Sequence, residues 1–155
     1  MSDGVGVSVG DFFSLLGIAP AFEIDLSELE SAYFKAQRQF HPDRFVNKSP
    51  EERLSALQKS MDINAAYETL KNPLKRAQYL LFLQEIIVGT EKDSIKPAPT
   101  LLMEIMELRE EPLPKEKLKE MVKKSEMLIA DYYKTSKFPE MSQETLRLGY
   151  LMRMI

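Results

Sequence analysis

Apolar residues recur with helical spacing along nearly the whole of this 155-residue chain after residue 10. In one clear example, Leu29, Tyr33, Ala36 and Phe40 fall within about 60° of arc when successive residues are placed about 100° apart, which predicts a buried stripe on an amphipathic helix. By contrast, no convincing run of alternating apolar and polar residues indicates a strand, and no Asn-Gly or Asp-Gly pair stands between two such runs. The pattern therefore predicts an all-α fold.

Proline, glycine and capping residues divide the chain into separate helices. Asp25 followed by Glu28 has the pattern of an N-terminal capping box, and Pro42 ends that helix because the residue before a proline is displaced from the α region. Ser49-Pro50 begins the next helix. The predicted core side of this helix contains Leu54, Leu57, Met61, Ala65 and Tyr67. The complete set of predicted helices is 11–16, 25–40, 50–70, 74–88, 100–110, 115–137 and 142–155.

A polar segment with two prolines, residues 90–99, is the best candidate for a linker between two helical modules. The first module is predicted to occupy residues 11–89 and the second, a bundle of three helices, residues 100–155. Residues 1–10 contain three glycines among small residues and are expected to form a flexible tail.

The composition narrows the chemistry available to the chain. It contains no cysteine and one histidine, which excludes disulfides, thiolate metal sites and a cysteine nucleophile, and leaves one base for any Ser-His-Asp triad. The 21 basic and 24 acidic residues give a formal net charge of -3, unlike the charge pattern of a non-specific nucleic-acid binder. We therefore expect no metal site, no cofactor, no enzymatic activity and no nucleic-acid partner.

The apolar runs give no indication of a membrane partner. The longest, Tyr79 to Leu83, is far too short to cross a bilayer, and the first residues lack the basic start of a signal peptide. We expect a cytoplasmic protein of a bacterium, with the mitochondrial matrix as the alternative.

The sharpest motif is the tripeptide His41-Pro42-Asp43 between two predicted helices. One imidazole beside one carboxylate, without a nucleophile or oxyanion donors, does not make an enzyme site. It suits a recognition element, because His41 and Asp43 supply directional hydrogen bonds and Pro42 lowers the ordering cost of binding. The alternative is a plain helix-ending turn. Basic residues that would add charge complementarity and faster association are Lys35, Arg38 and Arg44.

The sequence around the tripeptide resembles the J-domain, the module of DnaJ-type co-chaperones. Four blocks occur in the order of that family between residues 11 and 83: 11–17, 37–45, 63–70 and 72–79. The resemblance implies that the module docks on a DnaK-type chaperone through His41, Pro42 and Asp43 and stimulates its ATP hydrolysis. Many J-domains carry a more basic run before the tripeptide, which Phe34, Gln37 and Gln39 dilute here, so we expect weaker or more restricted docking.

The first helix of the second module is apolar over more than half of its circumference. Leu101, Ile105 and Leu108 form one stripe, and a second stripe is centred about 120° away. This second stripe contains Leu102, Met103 and Met106. Two interpretations stay open, since the helix is either deeply buried or turns one stripe toward a partner.

Residues Leu102 to Glu111 resemble the first helix of the C-terminal bundle in the HscB family, the J-domain co-chaperones of iron–sulfur cluster assembly. Residues Arg76 to Leu81 also resemble that family. In it, the bundle binds the scaffold protein (IscU type) on which clusters are built. The resemblance implies scaffold-binding roles for Leu102, Met106, Glu107, Arg109 and Glu110 and, on the last helix, Tyr150.

These observations predict an all-α co-chaperone with two modules. It would stimulate a DnaK- or HscA-type ATPase through its His-Pro-Asp loop and deliver the scaffold protein held by its C-terminal bundle. Two alternatives remain: a J-domain co-chaperone with a different client, and a non-catalytic helical interaction protein in which the His-Pro-Asp turn is incidental.

Overall fold

A computed structural model of this chain describes residues 11–89 and 95–155. All regular secondary structure within these ranges is helical, which confirms the all-α prediction. The predicted tail, 1–10, and residues 90–94 of the predicted linker lie outside the described residues. The helices are α1 (Phe12–Leu16), α2 (Leu26–Phe40), a 3₁₀ turn (Pro42–Phe45), α3 (Pro50–Leu70), α4 (Pro73–Phe82), α5 (Pro99–Glu110), α6 (Lys115–Lys134) and α7 (Phe138–Met154).

Side-chain caps begin α2 and α3 at the residues that the sequence indicates. The Asp25 carboxylate accepts hydrogen bonds from the backbone N–H groups of Ser27 at 2.8 Å and Glu28 at 3.3 Å. The Ser49 hydroxyl accepts one from the Glu52 N–H at 3.2 Å and donates one to the Glu52 carboxylate at 3.1 Å. The three bonds donated by backbone N–H groups satisfy donors that would otherwise lack an intrahelical partner.

The core side of α3 differs from the prediction. Leu54 is 68% exposed, and Leu57, Met61 and Ala65 are exposed as well. The opposite side packs against α1 and α2, and small residues occupy much of it, so the neighbouring helices approach closely. The predicted core side is therefore wrong for four of its five residues, whereas the fifth, Tyr67, is half-buried. The buried residues of α3 are Ala56, Ile63, Ala66 and Leu70.

The chain divides into two compact units between Asn72 and Pro73. The predicted modules differ from these units, since they divide at residues 90–99 and include α4 in the first module. In the structure, α4 packs against α7, and the side chain of Leu74 lies beside Gly149. The apolar side of α4 thus belongs to the core of the second unit, which could not be read from the spacing of its residues alone.

Three helix boundaries in the second unit also differ from the prediction by three residues or more. The helix α6 ends at Lys134 instead of residue 137, and Ser136 beyond its end takes a positive φ of 55°. The fourth helix ends at Phe82 instead of Val88, because the chain turns at residues 83–85 and Glu85 takes a positive φ of 65°. The last helix begins at Phe138 instead of Ser142, since a proline is tolerated in the first turn of a helix.

The second unit buries apolar residues from each of its helices. The buried apolar residues of α5 to α7 are Leu101, Ile105, Leu118, Ile129, Ala130, Met141, Leu148 and Leu151.

None of the described helices is both long and apolar enough to cross a membrane.

Candidate binding surfaces

The His-Pro-Asp loop connects α2 to α3, and its three residues are exposed. The helix ends at Phe40 because His41 takes extended backbone angles (φ -61°, ψ 136°), the region to which the following proline restricts it. Pro42 to Phe45 then form the 3₁₀ turn. This geometry places the tripeptide at the tip of the connection between two helices.

Two side chains of the loop present hydrogen-bonding groups to solvent. The Nδ1 atom of His41 accepts a hydrogen bond from the Asp43 N–H at 3.1 Å, so the neutral imidazole carries its proton on Nε2. That Nε2–H group makes no hydrogen bond within the described residues. The Asp43 carboxylate, whose Oδ2 lies 3.6 Å from Nδ1, is 89% exposed. A partner would meet one donor and one charged acceptor side by side.

Arg44 braces the loop against α2. Its Nη1 donates a hydrogen bond to the backbone carbonyl of Arg38 at 3.1 Å. The guanidinium thereby satisfies a carbonyl in the last turn of the helix and places its positive charge at the negative end of the helix dipole. Of the three basic residues predicted beside the loop, Arg44 thus also holds it, while Lys35 and Arg38 are exposed on α2.

A polar network fixes α2 against α3 and so fixes the two helices that carry the loop. The Gln37 side-chain amide donates to Asn64 Oδ1 at 2.6 Å, and its oxygen accepts from the Ser60 hydroxyl at 2.9 Å. The Tyr33 hydroxyl also donates to Asn64 Oδ1, at 2.8 Å, and its ring stacks on that of Tyr67 with centroids 4.3 Å apart. Gln37, which interrupts the basic run of the sequence, therefore has a structural role.

The helix α5 buries one of its apolar stripes and exposes the other. Leu101 and Ile105 are buried and Leu108 is half-buried, whereas Leu102, Met103 and Met106 are 42%, 62% and 59% exposed. Deep burial of the whole helix, one of the two interpretations left open by the sequence, is therefore excluded. The other predicted contacts on α5, Glu107, Arg109 and Glu110, are exposed too. Met103 was not among the predicted site residues, although its position in the second stripe indicated it. We call the residues Leu102, Met103, Met106, Glu107, Arg109 and Glu110 the α5 face.

Two residues one turn apart on α7 hold α5 in register. The Gln143 side chain accepts from the Ala98 N–H and donates to the Lys96 carbonyl, both at 2.8 Å. Arg147 Nε donates to Glu104 Oε1 at 3.0 Å, and this bond helps to hold the pKa of Arg147 above its ordinary value. Neither contact was predicted, because the partners are more than 40 residues apart in sequence.

The end of the α5 face meets an aromatic ring of α7. The guanidinium carbon of Arg109 lies 5.9 Å from the centre of the Tyr150 ring, so the structure brings together two residues that were predicted from different helices. Arg153 lies 5.4 Å from the same ring centre. Sequence reasoning missed Arg153, although its place three residues after Tyr150 on one helix was a usable signal.

Arg76, in a segment that resembles the HscB family, lies inside the second unit and not on its surface. It is 7% exposed on α4, and burial lowers its pKa. Burial raises the pKa of Glu126, and the positive charge of Arg76 opposes that rise.

Within residues 11–89 and 95–155, no cluster of histidine, aspartate and glutamate suits a metal ion.

Comparison with known proteins identifies relatives of both units. The DnaJ domain family matches residues 11–79. The co-chaperone protein HscB of Proteus mirabilis is 48% identical over 101 residues, which are 65% of this chain and 58% of that protein's length. The solved structure of chaperone HscB from Vibrio cholerae is 33% identical, with a TM-score of 0.75, over 92% of this chain and 91% of that one. Human co-chaperone HscB is 29% identical, with a TM-score of 0.76, over 92% and 77% of the two chains.

Proposed function

Because this chain belongs to the HscB family of J-domain co-chaperones, we propose that it stimulates ATP hydrolysis by a DnaK- or HscA-type chaperone and delivers an iron–sulfur cluster scaffold protein to it. The His-Pro-Asp loop would contact the chaperone, and the α5 face with Tyr150 would hold the scaffold protein (IscU type). Relatives of this chain are named co-chaperones, which supports a role without catalysis by this chain itself.

The observation that carries the first half of this proposal is the exposed, braced loop. It offers the Nε2–H of His41 and the carboxylate of Asp43 to a partner, while Arg44 and the network around Gln37 fix the helices on either side. A rigid loop loses little conformational freedom on binding, so more of its interaction energy is available to favour one state of the partner. The residues that hydrolyse ATP would belong to the chaperone.

The second half of the proposal rests on the α5 face. A run of exposed leucine and methionine side chains on one helix is typical of a surface that binds another protein, and flexible methionines adapt well to a partner. Carrying both surfaces on one chain would raise the local concentration of the scaffold protein at the chaperone.

Single-turnover ATP hydrolysis by the cognate chaperone tests the loop. We expect the wild-type protein to accelerate hydrolysis and the His41→Gln variant to lose that acceleration. Lys48→Ala, a change at an exposed residue between the 3₁₀ turn and α3, is the matched control and should retain it. Full acceleration by His41→Gln would refute the proposed role of the loop.

Binding of the purified cognate scaffold protein tests the α5 face. Replacing both Leu102 and Met106 by alanine should weaken binding by about tenfold or more, since a buried interface anchor typically contributes 1 kcal/mol or more. Met127→Ala removes a methionine that is 70% exposed on α6 and should leave the affinity unchanged. Equal affinities for the double variant and the wild type would point to a different client or a different surface.

A further inference from the structure

The Tyr150 ring is contacted by two arginines from different helices. Arg109 comes from α5 and Arg153 from α7, with guanidinium carbons 5.9 Å and 5.4 Å from the ring centre. Both side chains are exposed, while the ring is half-buried. Stacking on the ring restricts the two long side chains, so they would lose less freedom when they bind a ligand.

Neither of these arginines has a carboxylate at ion-pair distance among the residues that the structure describes. Arg147, on the same helix as Arg153, is paired with both Glu104 and Glu144. Among the described residues, the bundle thus neutralises Arg147 and gives Arg153 no carboxylate partner. Two guanidinium groups held at one ring can donate to an anion, although the neighbouring carboxylates of Glu107 and Glu110 reduce the positive potential there.

The position of the two arginines connects them to the α5 face. Arg109 lies three residues after Met106, on the same side of the helix, so the charged end continues the exposed apolar stripe. An apolar stripe that ends in two guanidinium groups fits a protein surface in which acidic side chains border apolar ones. A free phosphate or a nucleic acid would make no use of the apolar part.

We propose that Arg153, together with Arg109 on the Tyr150 ring, forms a carboxylate-binding end of the α5 face and contacts an acidic segment of the scaffold protein. Guanidinium groups pair with carboxylates through two parallel hydrogen bonds, which fixes orientation as well as adding affinity. The apolar stripe would supply most of the binding energy, and the arginine pair would select a partner with acidic residues at one end of its contact surface. This inference rests on the proposed binding of the scaffold protein.

Titration calorimetry of the full chain with the purified cognate scaffold protein, at low and high sodium chloride, tests the inference. Arg153→Gln should weaken binding about fivefold at low salt, and Arg153→Glu about tenfold or more, because reversal adds repulsion to the lost attraction. The difference from the wild type should shrink at high salt. Arg153→Lys, which keeps the charge, should recover part of the affinity.

The control is Lys124→Glu, which makes the same change of net charge at an exposed residue of α6 and should alter the affinity by less than about twofold. A thermal unfolding curve for each variant separates lost binding from lost folding. An affinity of Arg153→Glu within twofold of the wild type, or an equal loss in Lys124→Glu, overturns the inference while the proposed function stands. Absence of scaffold binding by the wild-type protein overturns both.

Discussion

Replacing Arg147 by alanine should loosen α5 from the second unit. The Arg147 side chain is 20% exposed and donates to Glu104, itself 34% exposed, and to Glu144, which is 13% exposed. Its loss would leave two partly buried carboxylates without their shared cation. Ser125 would still donate to Glu144 at 2.7 Å, but Glu104 would lose the ion pair that links α5 to α7.

The loss of unfolding free energy expected for Arg147→Ala lies between the values for exposed and for fully buried ion pairs. Exposed ion pairs contribute up to about 1 kcal/mol, whereas removing one partner of a fully buried pair costs about 3 to 5 kcal/mol. Because these side chains are mostly but not fully buried, we expect Arg147→Ala to lower the free energy of unfolding by about 2 kcal/mol. Arg147→Ala with Glu104→Gln should cost less than Arg147→Ala alone, since one unpaired charge is then removed.

Two assays would measure this prediction. Urea denaturation followed by circular dichroism gives the free energy, and hydrogen exchange of the α5 amides shows whether that helix opens first. Scaffold binding should weaken as well, while stimulation of the chaperone without scaffold protein should be unchanged. A loss below about 0.5 kcal/mol with unaltered exchange in α5 would refute the idea that Arg147 positions this helix.

Further predictions concern the first unit. Ile63 is 1% exposed, so Ile63→Ala should lower the free energy of unfolding, measured by urea denaturation, by about 2 to 4 kcal/mol. Leu54 is 68% exposed, so Leu54→Ala should lower it by less than about 0.5 kcal/mol. The reverse order would support the predicted core side of α3. Arg44→Ala should reduce stimulation of the chaperone by loosening the loop, with little change in unfolding free energy, and undiminished stimulation would exclude that bracing role.

Local signals predicted much of this fold. Caps such as Asp25 and Ser49 mark helix starts through contacts within three residues, and Pro42 ends α2 through its own geometry. Local signals did not predict the core side of α3, because this helix has two candidate faces. One face contains leucines, and the other contains small residues and Ile63. Only packing against other helices decides between them, and that information is not local.

The candidate surfaces also contain some residues that local sequence predicts and some contacts that it does not. The loop residues and the α5 face could be predicted because motifs of a known family occur there as short continuous stretches. The contacts of Gln143 and Arg147 join residues 43 to 47 positions apart, and the two-arginine cluster on Tyr150 depends on the same pairing of helices. No spacing within a single helix contains that pairing.

The central claim is that one chain couples the chaperone to its client, and it can be tested by mixing two defective proteins. Chaperone ATPase rates would be measured with limiting scaffold protein in four samples. Three contain one protein each: the wild type, His41→Gln, or the variant with alanine at both Leu102 and Met106. The fourth contains a mixture of the two variants. We predict that the mixture fails to reach the wild-type rate, because a linked adaptor needs both surfaces on one molecule. A mixture as active as the wild type would show that the two surfaces act independently and would contradict the account.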